Sequence, residues 1–269
     1  VFFSGSADEK VFFNPKLRIF KNKEKRMDTV NKNGAIAWDA YRTIKHRVVD
    51  LHLRPGEVLT VQTLAKDMSM SRTPVREALV RLSQEGLVEP CDGRKFRVVE
   101  ISLKQILDIY DIREDLECLA INGILRSDAI DETINELQTF WEQSRKSLAE
   151  GDFDAFFADD LGFHLVLIRR YGNKIMLHFF NSLTDHIQRI RYLTLPMNNR
   201  LECTVDEHAE ILDALKRRDA EAACTALRKH LSRVSACFKT LWEKSQGKTH
   251  PSAMIGQKML LEQFKREQS

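Results

Sequence analysis

The chain has 269 residues, a length suited to two domains, and is 43% hydrophobic and 30% charged. That balance excludes a disordered or collagen-like polypeptide. No apolar run approaches the roughly 18 residues a membrane span needs, and 11 Gly and 6 Pro are too few for an all-β sandwich or barrel. A mainly α fold follows. The net charge of +3 is unevenly spread: residues 1–27 hold 7 basic and 3 acidic residues, 28–100 hold 12 and 10, and 101–269 hold 23 and 26. Positive charge gathers toward the N-terminal end, where a polyanion would be met. Five cysteines (Cys91, Cys118, Cys203, Cys224, Cys237) include no CxxC pair. This spacing speaks against a disulfide framework or a structural zinc knuckle and for a reducing cytoplasm.

Residues 1–34 read as an N-terminal extension or arm. In 1–27 the basic run follows the apolar residues, the reverse of a secretory signal, and Met27 is a candidate natural start. From Ala35 to Leu53 an amphipathic helix is expected, with Ile36, Ala40, Ile44 and Val48 at helical spacing, ending at Arg54-Pro55-Gly56. Thr60 can cap a short helix over Val61–Met68. A third helix opens at Ser71-Arg72-Thr73-Pro74, where Pro74 costs little because first-turn amides lack intrahelical partners. Gly86 closes it after Glu85. Leu87–Glu89 and Phe96–Val99 read as strands of a hairpin around Asp92-Gly93.

Helix, short helix, turn, helix and hairpin make the layout of a winged helix-turn-helix, with Ala65, Val75, Leu79 and Leu82 as its small core. Ser71, Arg72, Thr73 and Arg76 then stand at the start of a recognition helix, where side chains meet base edges and phosphates. Arg94 and Lys95, with Arg97, give the hairpin a basic surface. Leu64-Ala65, Ser71-Arg72-Thr73-Pro74-Val75-Arg76-Glu77-Ala78-Leu79, Leu82 and Glu85-Gly86-Leu87-Val88 resemble the DNA-binding domain of GntR-family transcriptional regulators over residues 35–100. The wing departs from the family pattern, carrying Gly93-Arg94-Lys95-Phe96 where Arg-Gly and an aromatic or small residue are common.

Beyond the hairpin, Ser102 to Gln105 is a capping box launching a helix whose apolar face holds Leu103, Ile106, Leu107, Tyr110, Leu116 and Leu119. Helical blocks follow over 131–150, 152–171, 174–193, 205–217 and 220–244, with Thr204 to Glu207 as a second capping box. Six helices with short connections imply an antiparallel all-α bundle over 101–244, and 245–269 form a polar tail. Asp160 and His164, at i and i+4, share a face flanked by Leu161, Phe163, Leu165 and Val166. His208 and His230 lie among Leu and Ile on the last two helices. Buried imidazoles are costly without partners, and three of them with one carboxylate satisfy one another by sharing a divalent cation.

Asp160-x-x-Phe163-His164, Asn173, Glu207-His208, Ile211-Leu212, Asp219, Ala223 and His230-Leu231, with Arg113-Glu114-x-Leu116-Glu117, resemble the FCD effector domain of the FadR subfamily over about 101–243. The resemblance implies a metal-containing cavity (zinc foremost, with nickel or manganese as alternatives), a small carboxylate effector and a homodimer on double-stranded operator DNA. Arg113 is a candidate bidentate partner for the effector carboxylate; its alternative is a surface salt bridge with Glu117. Asn173 is either an effector contact or a helix end. The expected function is a ligand-responsive regulator, acting as a repressor on a palindromic operator. A metal-responsive regulator is an alternative, and a metal-dependent hydrolase a weaker one: no HExxH, Gly-rich phosphate loop or nucleophile elbow occurs.

Overall fold

The computed structural model describes residues 32–194 and 200–244; the expected arm, apart from its last three residues, and the polar tail lie outside them. The elements run α1 (Lys32–Val49), β1 (Val58–Thr60), α2 (Val61–Asp67), α3 (Arg72–Gln84), β2 (Val88–Cys91), β3 (Lys95–Val98), α4 (Leu103–Ile124), α5 (Ile130–Ala149), α6 (Phe153–Tyr171), α7 (Lys174–Thr194), α8 (Arg200–Lys216) and α9 (Ala220–Lys244). The fold is mainly α, and its small sheet has the antiparallel order β1-β3-β2.

Local chemistry explains most boundaries. The Thr60 hydroxyl accepts from Thr63 N at 3.1 Å, the Ser102 hydroxyl from Gln105 N at 3.1 Å, and the Asp152 carboxylate from Ala155 N at 3.0 Å. Each satisfies an otherwise orphaned first-turn amide. Gly172 ends α6 at φ 81, a left-handed conformation that costs glycine nothing.

Two apolar clusters result. One joins Ala40, Ile44 and Val48 of α1 to Leu64, Ala65, Val75, Leu79, Leu82, Phe96 and Val98; Val75, Leu79 and Leu82 are fully buried, each contributing about 1.5–3 kcal/mol. The other fills the bundle, where α4 packs on α6 and α9, α5 on α6 and α8, and α8 on α9.

Several expectations are corrected. Helix α1 spans 32–49 and not 35–53, because the chain turns at Leu51 with φ 61, and Ile36 is exposed. The wing has a third strand: β1 pairs with β3 through Leu59 and Phe96, a long-range pairing with no local signature. On α4, Leu119 faces outward and the inner face carries Ile109, Arg113, Glu117 and Ala120. Helix α8 begins at Arg200, so Thr204 is inside it and its hydroxyl bonds to Arg200 O; the second capping box is absent.

Candidate functional sites

The first site lies on the outer face of the helix-turn-helix. Burying Pro74, Val75, Ala78, Leu79 and Leu82 forces the remaining face of α3 outward. Ser71, Arg72, Thr73 and Arg76 are all exposed, as are Arg94 and Lys95 on the β2–β3 hairpin. Ser71 caps α3 by backbone position alone, with no side-chain cap bond, which keeps its hydroxyl available. Gly93 adopts φ 70 and Cys91 pairs with Lys95, so the wing closes on a three-residue tip despite its unusual sequence.

The second site is inside the bundle. Asp160 and His164 from α6, His208 from α8 and His230 from α9 are all buried, and one donor atom from each lies within 4.8 Å of the others. Ring centroids are 5.0 Å apart for His164 and His208, 5.2 Å for His164 and His230, and 4.8 Å for His208 and His230. Phe163 stacks on His208 at 4.1 Å and 9°, locking that ring in place.

Carboxylates behind two of the imidazoles orient them. His164 Nδ1 meets Glu117 Oε2 at 2.5 Å, and His230 Nδ1 meets Glu207 Oε2 at 2.7 Å. With Nδ1 engaged, Nε2 is the atom presented inward. His164 Nε2 is buried without a partner, and His208 Nε2 and Asp160 Oδ1, 3.4 Å apart, make no hydrogen bond beyond that long contact. Three such atoms in one pocket would each cost about 1–3 kcal/mol if left alone; a shared cation removes that cost.

Electrostatics suit a cation. Burial, reinforced by Arg113 at His164 and by His230 at His208, holds both imidazoles well below their ordinary pKa, so they are neutral ligands at pH 7. Burial pushes the Asp160 carboxyl up, but Arg191 at 2.5 Å and the surrounding imidazoles together outweigh it and hold the group well below the usual carboxylate range. Glu207 is likewise pushed up by burial and brought down to about 2 by hydrogen bonds from His230 and Arg200. The residues present fit a divalent transition metal: three imidazoles, those of His164 and His208 held neutral, and one ionised carboxylate.

Beside the tetrad is a cavity of about 30 Å3, lined by Tyr110, Arg113, Phe156, Asp160, Arg191, Arg200 and His230 among others. Arg113 pairs with Glu117 at 3.0 Å, as its alternative reading required, but the pair is fully buried and not on the surface. The Glu117 bond leaves Arg113 Nη2 buried without a partner, so the ion pair positions the guanidinium at the cavity without consuming it. Asn173 is corrected: it is exposed, and its side-chain oxygen caps α7 by accepting from Ile175 N and Met176 N. Sequence reasoning missed Glu117, Glu207, Arg191 and Arg200 as site residues. The signal available was the density of charged residues inside apolar helices; Glu207 had been assigned to the capping box that does not form.

Residues 37–98 match the family model described as bacterial regulatory proteins, gntR family, and residues 108–233 match the FCD domain model. An HTH-type transcriptional regulator in an unstable DNA locus of Streptomyces ambofaciens is 34% identical over 197 residues, covering 73% of this chain and 82% of that one. The gluconate operon transcriptional repressor of Bacillus subtilis is 27% identical over 210 residues, covering 76% and 85%. Escherichia coli McbR/YncC shares the fold, with a TM-score of 0.63 at 24% identity over 77% of this chain and 98% of that one. The Streptomyces and Bacillus relatives are named as transcriptional regulators, and no helix among the described residues is long and apolar enough to cross a membrane.

Proposed function

Since the chain belongs to the GntR family of bacterial transcriptional regulators and carries an FCD domain, we propose that it is a homodimeric, metal-containing repressor released from its operator by a small carboxylate. The observation that carries this reading is the convergence of Asp160, His164, His208 and His230 beside the Arg113 guanidinium, with three of their inward atoms making no hydrogen bond. A divalent transition metal held by the four residues supplies positive charge and open coordination positions to a carboxylate. Arg113, aimed by Glu117, offers the second anchor. The Bacillus relative, named for the gluconate operon, is consistent with a hydroxylated carboxylate as effector.

Ser71, Arg72, Thr73 and Arg76 enter the major groove, and Arg94 and Lys95 lie along the adjacent backbone. A two-fold dimer presents two such helices about 34 Å apart, so the operator is an imperfect palindrome.

Coupling has a physical route. The cavity is lined by side chains of α4, α6, α7, α8 and α9, so an effector that fills it touches helices that also reach the DNA-binding domain. Helix α7 touches both ends: Arg191 reaches Asp160 in the cavity, while Asp185 pairs with Lys45 of α1 at 2.6 Å and Arg189 donates to Val99 O beside the wing at 2.5 Å. Helix α4 follows the wing directly after Val99–Ser102 and carries Arg113 and Glu117. Motion of either helix changes the seating of the DNA-binding domain, and coupling of about 1–3 kcal/mol is typical of such linkage.

The test is elemental analysis of protein purified without chelator, beside a His208→Ala, His230→Ala variant. About one transition metal per chain, lost in the variant, is expected. Metal in neither protein, with equal thermal stability, would overturn the metal-dependent reading while leaving DNA binding intact.

A further inference from the structure

Cys118 and Cys224 are 106 residues apart in the chain, yet they meet where α4 crosses α9, both as buried free thiols. Each sulfur lies against the other residue's carbonyl, Cys118 Sγ to Cys224 O at 4.0 Å and Cys224 Sγ to Cys118 O at 3.8 Å. Asn122, anchored on Cys118 O at 2.8 Å, donates to Cys224 Sγ at 3.5 Å. Arg228, one turn beyond Cys224 on the exposed surface and held by Glu114 at 3.1 Å, adds positive charge. The Asn122 amide thus distinguishes the two sulfurs, reaching Cys224 Sγ while its other bond goes to the Cys118 carbonyl.

We infer that Cys118 and Cys224 form a peroxide-oxidisable dithiol whose disulfide staples α4 to α9. The contact with Cys118, with Arg228 and Asn122 beside it, lowers the Cys224 thiol against the effect of burial, while the same contact and burial push Cys118 up. Cys224 is therefore the nucleophile and Cys118 the resolving thiol. The Cys224 thiolate attacks one oxygen of hydrogen peroxide; the O–O bond breaks, hydroxide leaves and is protonated to water, and Cys224 becomes a sulfenic acid. The Cys118 sulfur then attacks the Cys224 sulfur, the S–O bond breaks, and the Cys118 proton leaves with the hydroxyl as a second water. Two thiols are oxidised and one peroxide is reduced to two waters. The staple acts on the site through both helices: Glu117, next to Cys118, supports Arg113 and His164, and α9 carries His230.

The test uses the full chain with Cys91→Ser, Cys203→Ser and Cys237→Ser, which keeps only the proposed pair. One equivalent of hydrogen peroxide should lower the intact mass by about 2 Da, abolish both titratable thiols and raise the melting temperature, all reversed by dithiothreitol. Peptide mapping without reductant should recover the Cys118–Cys224 crosslink in one chain, in this variant and in the wild type. Adding Cys118→Ser should leave Cys224 as a sulfenic acid trapped by dimedone. Two thiols still titratable after peroxide, overoxidation without a crosslink, or a disulfide only between chains would overturn the inference.

Discussion

The buried carboxylates and histidines of this protein are set by burial first and by their partners second. Asp159 neighbours Asp160 but faces another way, accepting from the Ser147 hydroxyl at 2.9 Å. Burial raises its carboxyl from 3.8 to about 6, with the Ser147 bond opposing. The folded state therefore binds more protons than the unfolded chain between those values. Stability should fall as pH rises from about 4 to about 6, with the penalty fully present above that window. In chelator-treated protein, Asp159→Asn should keep the Ser147 acceptor, flatten this slope and raise stability at pH 7, by no more than about 3 kcal/mol. Denaturant melts of both proteins across the window check it; parallel curves would show that Asp159 is not the group responsible. Arg113 and Glu117 teach a related lesson. Their i,i+4 spacing is ordinary for a surface pair, and only burial turns the pair into a device for aiming a cation.

At the scale of elements, the two functional faces are positioned by what the opposite faces bury. The apolar side of α3 commits Arg72 and Arg76 to solvent. Arg72→Ala and Arg76→Ala should each weaken binding to duplex selected from a random pool and reduce the slope of log affinity against log salt by about 1. Anisotropy titrations at several salt concentrations measure this, and unchanged slopes would move the interface elsewhere. Helix α6 shows the same logic inside the bundle. Gly162 sits mid-helix between Asp160 and His164, where alanine would ordinarily gain about 1 kcal/mol. A Cβ there would run into the Phe140 ring of α5, so the glycine allows the close approach that places both metal-facing side chains. Gly162→Ala should destabilise by about 1–3 kcal/mol through overpacking, visible as a lower melting temperature; a rise would show that α5 and α6 have slack.

For the whole molecule, the polar seam between the DNA-binding domain and the bundle is the feature of most consequence. Lys45 bridges Glu85 at 3.0 Å and Asp185 at 2.6 Å, Tyr41 donates to Glu85 at 2.7 Å, and His186 lies 3.9 Å from where a Gly86 side chain would start. Burial pushes the Lys45 amine down, but Asp185 outweighs it and holds the group above its ordinary range. Lys45→Met should therefore leave two half-buried carboxylates facing each other and cost about 1–3 kcal/mol. Amide hydrogen exchange should accelerate in α1 and the C-terminal half of α7, while exchange around His208 and His230 stays unchanged. Uniform acceleration would mean that the seam is not a local hinge between the two bodies.

Much was legible before any coordinates because it is local. Helical periodicity, the caps at Thr60 and Ser102, and the stop at Gly86 are decided within a few residues, where steric and hydrogen-bonding rules act directly. The i,i+4 pair Asp160 and His164, with apolar neighbours, and the two histidines on later helices were readable for the same reason. Tertiary structure alone decided the rest. Strand β1 exists because β3 offers it an edge, and Glu207 faces Arg200 and His230 because α8 begins at Arg200, ahead of the apparent cap. Glu117, Arg191, Arg200 and the Cys118–Cys224 pair acquire their roles from partners distant in sequence or on other helices. Such pairings follow from how helices pack on a shared core, a balance of burial and charge over the whole fold that no short window of sequence contains.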